Sequence, residues 1–133
     1  EYVWQAPAGD DVCLGRPGCY PGYSAAISVT ADYVLAGSNE GWLRAFDIGS
    51  GEVLWEFDTT QPFTAVDGRI AQGGSIGGGQ APLIVGDRLI LNSGYAFAGK
   101  MPGNALLVLK LPASDAQVAA EFGAQVLVDT AAK

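Results

Sequence analysis

The residue types that could do chemistry are restricted in this chain of 133 residues, which contains no histidine and two cysteines. Without histidine, a Ser-His-Asp triad, the zinc metalloprotease helix motif and a haem tether ending in Cys-His are all excluded. Two cysteines are too few for a four-thiolate zinc site. The remaining candidates for acid-base or metal chemistry are the 14 aspartates and glutamates.

These carboxylates form no pattern that identifies a catalytic base or a metal site. Asp10 and Asp11 precede the cysteine pair, Asp58 ends a predicted strand, and Asp67 shares a turn with Gly68. Aspartate is favoured in turns because its carboxylate accepts hydrogen bonds from nearby backbone amides. Three more aspartates lie in predicted turns between strands: Asp32, Asp47 and Asp87. We interpret all of these aspartates as turn residues or solvated charges, and nominate no catalytic residue and no metal ligand.

The charge balance limits the partners that the chain can have. Its net charge is −7 and it has no cluster of lysine or arginine, which argues against nucleic acid and anionic membranes because both require a basic face. The longest apolar run is too short to span a bilayer, so no membrane span is expected. The chain starts at Glu1 rather than Met, which predicts a processed form or an excised piece of a longer protein.

The two cysteines enclose a short loop. Cys13 and Cys19 are separated by five residues that include a Pro17-Gly18 turn, and this turn can bring the two sulfurs together. A disulfide here would contribute about 2 kcal/mol in the chain-entropy model. It predicts a periplasmic or secreted protein; the alternative is a pair of reduced cysteines in a cytosolic loop.

Alternating apolar residues and turn signals predict four short strands, over residues 24–30, 33–38, 42–48 and 52–58. Tight turns join them, which is typical of an antiparallel meander. In the fourth strand, period-two alternation places Val53, Trp55 and Phe57 on one face.

The meander recurs along the chain. Residues 26–38 match residues 81–93 at a constant offset of 55, with Asp32 matching Asp87. A longer loop, 94–103, then leads into a predicted third strand over 104–111, and residues 1–5 resemble residues 52–56. Repeats of about 50 residues with four strands each are typical of β-propeller blades.

We therefore predict an all-β fold, a partial β-propeller. It contains one complete four-stranded antiparallel blade, the last strand of the preceding blade and three strands of the following one. Residues 1–111 would be the C-terminal blades of a larger propeller, whose remaining blades are the first expected partners. A twisted open sheet or a two-sheet sandwich is the alternative. Residues 112–133 would be a tail, with a short helix over 115–122 and a possible strand over 125–129.

A specific motif lies at the turn between the third and fourth strands. Residues 45–55 resemble the tryptophan-docking motif of quinoprotein propellers, Ala-x-Asp-x-x-Thr-Gly-Lys-x-x-Trp, with Ser50 in place of Thr and Glu52 in place of Lys. Side-chain oxygens bond turn amides, glycine allows positive φ, and the indole offers a flat surface for docking between blades. The residues with these structural roles are Ala45, Asp47, Ser50, Gly51 and Trp55, with Trp4 as the counterpart in the preceding blade.

From Cys13 to about Leu111 the chain resembles the C-terminal part of the polyvinyl alcohol dehydrogenase group, a branch of the pyrroloquinoline-quinone (PQQ) dependent dehydrogenases. That resemblance implies PQQ on the propeller axis beside a calcium ion. It also implies oxidation of an alcohol to a carbonyl, with electrons passed to an external acceptor such as cytochrome c. The residues that carry the likeness are the Cys13/Cys19 pair, Gly37-Ser38 with Gly41, the docking motif, residues 55–59, residues 73–79, and residues 92–95 with Gly103-Asn104.

A glycine-rich loop precedes the first strand of the last repeat. The first strand of a blade lies innermost, so this loop would lie near the axis, where small residues let the backbone approach a flat cofactor. An equally weighted alternative is a tight crossing between blades that binds no ligand. A phosphate cradle is not supported, because neither Lys-Ser/Thr nor a helix follows. The candidate cofactor-binding residues are Gly73, Gly74, Ser75, Gly77, Gly78 and Gly79, and Tyr95 and Arg44 could also face the loop.

Two functions of different classes stay open at this point. The first is part of a PQQ-dependent alcohol dehydrogenase, inactive alone because other blades complete the cofactor site. The second is a non-catalytic propeller that acts as a protein-binding scaffold and uses the same docking motif. The cysteine pair and the glycine loop favour the enzyme, because a scaffold requires neither.

Overall fold

The computed structural model of the chain describes residues 1–9 and 13–111, and this part contains no α-helix. The predicted all-β class is confirmed. No helix of the described residues is long and apolar enough to cross a membrane. The helix and strand predicted after residue 111, and Asp10 and Asp11, lie outside the described residues. The elements are β1 (Ser28–Val29), β2 (Tyr33–Gly37), β3 (Trp42–Asp47), β4 (Val53–Asp58), β5 (Pro62–Thr64), β6 (Ile70–Gln72), β7 (Leu83–Val85), β8 (Arg88–Ser93), a 3-10 turn (Phe97–Gly99) and β9 (Ala105–Lys110).

The first sheet, sheet 1, is the predicted four-stranded meander, with strands in the order β1-β2-β3-β4 and all neighbours antiparallel. Strand β1 is shorter than expected, since only Ser28 and Val29 pair with β2, opposite Leu35 and Val34.

A β-bulge in β4 corrects one expectation about side-chain direction. Trp55 pairs with Ala45 and Val53 pairs with Phe46, so Leu54 has no partner in the ladder. The extra residue turns Val53 to the opposite face from Trp55 and Phe57. The predicted common face of the three side chains is therefore wrong for Val53, which is half exposed.

The second repeat forms a three-stranded sheet, sheet 2, in the order β7-β8-β9. Its register reproduces that of sheet 1: Leu83 pairs with Ile90 as Ser28 pairs with Leu35, and Ile90 pairs with Val108 as Leu35 pairs with Ala45.

The two sheets pack through unlike faces. We call the side of sheet 1 that carries Leu35 and Leu43 its front face; both are buried. This face shares one apolar core with Leu89 and Leu91 of sheet 2. Leu89 and Leu91 are the repeat equivalents of Val34 and Ala36, which lie on the back face of sheet 1. Front-to-back stacking of separate repeated sheets is the arrangement of successive propeller blades, so the chain is a partial propeller.

A short hairpin was not predicted. Strands β5 and β6 pair within the connection between the sheets, around a turn at Asp67 and Gly68. Only the turn was expected from the sequence. Phe63 anchors the hairpin by burying its ring in the core, 6.1 Å from the Phe57 ring. Three-residue strands are too short to give a readable alternation.

Residues 1–9 form no paired strand within the described chain, yet Trp4 docks on the back side of sheet 1. Its indole nitrogen donates a hydrogen bond to the Ile48 carbonyl at 2.9 Å, and its ring stacks 6.0 Å from the Phe46 ring. Gly51 lies directly beneath the indole: a Cβ there would be 2.6 Å from the ring. Trp55, the counterpart of Trp4 in β4 of sheet 1, is partly buried and packs against the core between the sheets.

A matched pair of glycine substitutions should isolate the docking contact. Gly51 and Gly68 both have positive φ, +74° and +81°, but only Gly51 has a neighbour within 4 Å. We expect Gly68→Ala to lower the free energy of unfolding by about 1 kcal/mol through backbone strain alone. Gly51→Ala should cost clearly more because it also displaces Trp4. Urea unfolding followed by tryptophan fluorescence measures both, and equal losses would contradict the docking role.

Candidate functional site

Connecting segments from both repeats meet along one side of the sheets, which we call the loop edge: residues 13–24, 38–41, 59–60, 73–80 and 93–104. Asn39 forms hydrogen bonds with two other segments of this edge. Its amide donates to the Gly22 carbonyl at 2.8 Å, its side-chain oxygen accepts from Ser24 at 2.6 Å, and its carbonyl accepts from the Ser75 hydroxyl at 2.5 Å. The turn between β2 and β3 thus holds the segment before β1 and the glycine loop together.

Ser75 also bonds the glycine loop to the connection between β8 and β9. Its hydroxyl accepts from the Met101 amide at 3.0 Å, its own amide donates to the Met101 carbonyl, and its carbonyl accepts from the amides of Gly94 and Tyr95. The residue is fully buried. Because a buried polar group costs free energy unless it is paired, this set of bonds fixes the loop at one position.

Residues 73–75 pass between the two sheets, and we call them the crossing. Two buried hydroxyls form hydrogen bonds there. Thr59 donates to the Gly41 carbonyl at 2.7 Å, and its Oγ1 lies 2.7 Å from the Ser93 Oγ. The Ser93 hydroxyl also accepts from the Gly74 amide at 2.9 Å. Sequence reasoning missed Thr59 and Ser93 as a pair, because nothing in their spacing of 34 residues indicates contact.

The six predicted cofactor residues fall into two groups. Gly73, Gly74 and Ser75 are buried in the crossing. A Cβ on Gly73 would overlap the Thr59 carbonyl oxygen, and one on Gly74 would be 2.5 Å from the carbonyl oxygens of Met101 and Pro102. Close backbone packing therefore accounts for the first two glycines.

The other three glycines lie nearer the solvent. The Tyr95 ring covers Gly77 and Gly78, 2.6 Å and 3.1 Å from the Cβ that each lacks. Gly79 is exposed and has open space where a side chain would stand. Tyr95 itself is partly exposed, its ring centroid lies 6.1 Å from that of the exposed Phe97 ring at an interplanar angle of 38°, and the Lys100 ammonium lies 5.6 Å from the Tyr95 centroid. The loop thus presents backbone and an aromatic ring at the edge.

The predicted disulfide is confirmed. Cys13 and Cys19 are joined, with their Cα atoms 5.4 Å apart, and both are buried beside Met101. Gly18 lies against the backbone of residues 99–101, and Arg16 donates to the Thr60 hydroxyl at 3.0 Å. The disulfide loop therefore contacts the segment after β4 and the connection between β8 and β9.

A buried ion pair lies behind the loop edge. Arg44 donates to Glu40 at 2.9 Å, with the Glu40 side chain fully buried, and to the half-exposed Glu56 at 3.2 Å. Burial by itself lowers the pKa of Arg44, but the hydrogen bonds to Glu40, Glu56 and Tyr23 outweigh it, so the pKa lies above its ordinary value. Glu40 also accepts from the Gly22 amide at 3.3 Å. Arg44 thus faces carboxylates and Tyr23, and supports the loop edge through them.

The carboxylates of the described residues form no candidate metal site. The described residues contain no group of three His, Cys, Asp or Glu that could hold a metal ion. Asp47 accepts from the Ser50 amide and hydroxyl and the Gly49 amide, which lowers the pKa of its carboxyl. Hydrogen bonds from Arg69 lower the pKa of Asp67 in the same way. Both act as turn residues.

Comparison with known proteins gives relatives that match more than half of this chain. A polyvinylalcohol dehydrogenase of a Pseudomonas species is 40% identical over 96 residues, 71% of this chain and 15% of that protein. One of a Sphingopyxis species is 40% identical over 79 residues, 59% of this chain and 12% of the relative. The 1-butanol dehydrogenase (quinone) of Thauera butanivorans is 32% identical over 108 residues, 74% of this chain and 16% of the relative. No family model and no solved structure matches the chain.

The buried ion pair should be more sensitive to neutralisation than an exposed one. Glu40→Gln removes the charge that compensates Arg44, and we expect the free energy of unfolding to fall by about 3 kcal/mol. Asp67→Asn removes the exposed partner of Arg69 and should leave the stability unchanged. Chemical denaturation of the two variants compares them, and similar stabilities would show that Arg44 does not depend on Glu40.

The hydroxyl of Ser75 should stabilise the loop edge more than that of Ser24. Ser75→Ala leaves the Asn39 carbonyl and the Met101 amide unpaired in a buried place, so we expect a loss of about 2 kcal/mol. Ser24→Ala breaks one exposed hydrogen bond and should cost less than about 0.5 kcal/mol. Amide hydrogen exchange at Met101 gives an independent measure: its protection should fall in Ser75→Ala and persist in Ser24→Ala.

Proposed function

The chain is homologous to one segment of the quinoprotein alcohol dehydrogenases, and from this premise we propose that it forms part of a PQQ-dependent alcohol dehydrogenase. The chain spans about 15% of the length of the relatives it matches. The larger enzyme would oxidise an alcohol to a carbonyl and pass the electrons to an external acceptor such as cytochrome c. The remaining propeller blades would complete the cofactor site.

The observation that carries this proposal is the 40% identity to a polyvinylalcohol dehydrogenase over a span of 96 residues. The aligned length is 71% of the chain. The front-to-back stacking of the two sheets gives independent support, because it is the packing that a quinoprotein propeller requires.

The glycine loop is the part of the chain that could contact a flat cofactor. We propose that the contact is made by Gly77, Gly78 and Gly79, while the crossing at residues 73–75 holds them in place. The open space at Gly79 and the partly exposed Tyr95 ring fit a planar aromatic group. When bound, PQQ supplies the quinone that accepts the reducing equivalents. This chain's residues would position it and exclude water from one side.

Calcium and the compartment are further parts of the proposal. We propose that the calcium ligands and the catalytic base come from other parts of the larger enzyme. The disulfide supports a periplasmic or secreted location, because such bonds persist in oxidising compartments.

A non-catalytic scaffold is the second candidate. One observation favours it. Packing against Thr59, Met101 and Tyr95 leaves no space for a side chain at Gly73, Gly74, Gly77 and Gly78, so these glycines can be explained without a ligand. The two candidates differ in whether the loop edge binds a quinone.

The experiment that separates them uses the full-length protein that contains this chain. With added PQQ and calcium, a dehydrogenase should reduce an artificial dye when a secondary alcohol is supplied. Absence of PQQ binding would favour the scaffold and refute the cofactor assignment, and bound PQQ without dye reduction would refute the dehydrogenase activity.

A matched pair of glycine variants tests the assigned contact. Gly79→Leu and Gly49→Leu both fall on exposed glycines without positive φ, and no neighbour lies closer than 3.4 Å to either Cβ position. Gly49 lies in the turn between β3 and β4, away from the loop edge. We expect Gly79→Leu to weaken PQQ binding at least about tenfold, or about 1.4 kcal/mol, and Gly49→Leu to leave it unchanged. PQQ titration monitored by fluorescence quenching measures this, and equal affinities would remove Gly79 from the site.

A further inference from the structure

The disulfide loop, residues 13–19, has a backbone shape that its own side chains do not explain. Two consecutive turns form it: the Arg16 amide donates to the Cys13 carbonyl at 2.8 Å, and the Cys19 amide donates to the Arg16 carbonyl at 3.2 Å. Leu14 in the first turn has a φ of +45°, which residues with a side chain rarely adopt. Because Leu14 is 88% exposed, packing does not compensate this conformation. The closed loop therefore holds the backbone.

The disulfide loop contacts the connection between β8 and β9 backbone to backbone. The two cysteines and Met101 form one buried cluster. A Cβ on Gly18 would lie 2.8 Å from the Gly99 carbonyl oxygen and 3.0 Å from the Met101 amide nitrogen. At this distance the two backbones have no space between them, so a shift of the disulfide loop also shifts residues 99–101.

Met101 connects this contact to the glycine loop. The Ser75 amide donates to the Met101 carbonyl at 3.0 Å, and the Met101 amide donates to the Ser75 hydroxyl at 3.0 Å. The Ser75 carbonyl accepts from the amides of Gly94 and Tyr95, both at 2.9 Å. The Tyr95 ring then covers residues 77–78. A continuous series of contacts thus runs from the disulfide loop to the exposed half of the glycine loop.

We propose that the disulfide loop positions the glycine loop for its ligand, so that the Cys13–Cys19 bond sets the affinity of a site in another segment of the chain. Without this bond the loop would lose its shape, and Gly18 would no longer hold Met101 against Ser75. The cofactor contact is then complete only in the oxidised chain. The effect on ligand affinity rests on the proposed function, whereas the coupling between the loops does not.

A matched pair of glycine variants in the disulfide loop tests the coupling. Gly15 and Gly18 both have a φ of +75°, but Gly15 has no neighbour within 4 Å. Gly15→Ala and Gly18→Ala therefore add the same backbone strain, and only Gly18→Ala displaces residues 99–101. In the full-length protein, we expect the Ser75 and Gly94 amides to exchange hydrogen at least about tenfold faster in Gly18→Ala than in Gly15→Ala. Exchange in β2 and β3 should be equal in the two variants, which identifies the change as local.

PQQ titration of the same variants tests the effect on the ligand. Gly18→Ala should bind PQQ at least about tenfold more weakly than Gly15→Ala. The double variant Cys13→Ala/Cys19→Ala should match Gly18→Ala in both measurements, and it replaces Gly18→Ala if circular dichroism shows that the latter is unfolded.

The two measurements separate the possible failures. Equal exchange at Ser75 in the two glycine variants would overturn the coupling. Faster exchange with equal PQQ affinity would overturn the positioning role. If the unmodified protein binds no PQQ, the proposed function fails, and the exchange result still decides whether the disulfide loop holds the glycine loop.

Discussion

The structure depends on one backbone crossing, where residues 73–75 pass between the two sheets with no space for a side chain at Gly73 or Gly74. Every polar group at this crossing has a partner: the Gly74 amide bonds Ser93, the Thr59 hydroxyl bonds the Gly41 carbonyl, and Ser75 bonds Asn39 and Met101. Satisfied buried polar groups specify a single arrangement, whereas an unsatisfied one would cost about 1–3 kcal/mol. The crossing therefore sets the position of the exposed half of the glycine loop.

The apolar seam is the second constraint, and it acts together with the crossing. Leu35, Leu43 and Leu89 are almost completely buried between unlike faces of the two sheets. The docked indole of Trp4 fastens the back side of sheet 1 at the turn from Asp47 to Gly51. The seam thus holds the two sheets face to face, and the docked indole holds the β3–β4 turn at the end of sheet 1 that lies away from the loop edge.

Much of the fold could be predicted from the sequence, because the strands alternate clearly and the repeat keeps a constant offset. The meander and the second copy were predictable for that reason, and the disulfide was predictable from the Pro17-Gly18 turn between its cysteines. The hairpin β5–β6 was not, because its strands are three residues long and Phe63 is buried by tertiary contacts. The bulge at Leu54 was not, since an unpaired residue leaves no mark on composition. For the site, the glycine loop was visible as composition, but the bonds of Ser75, Thr59 and Ser93 join residues far apart in sequence and have no local signal.

The distances along the chain that these bonds span have a consequence for folding order. The turns of sheet 1 close between neighbouring strands, whereas the contacts of Thr59 with Ser93 and of Asn39 with Ser75 span 34 and 36 residues. Closing a long loop costs more entropy than closing a hairpin, so contacts of high sequence separation form late. The meanders are then complete before the crossing closes, and a newly made chain acquires its individual sheets first and its loop edge last.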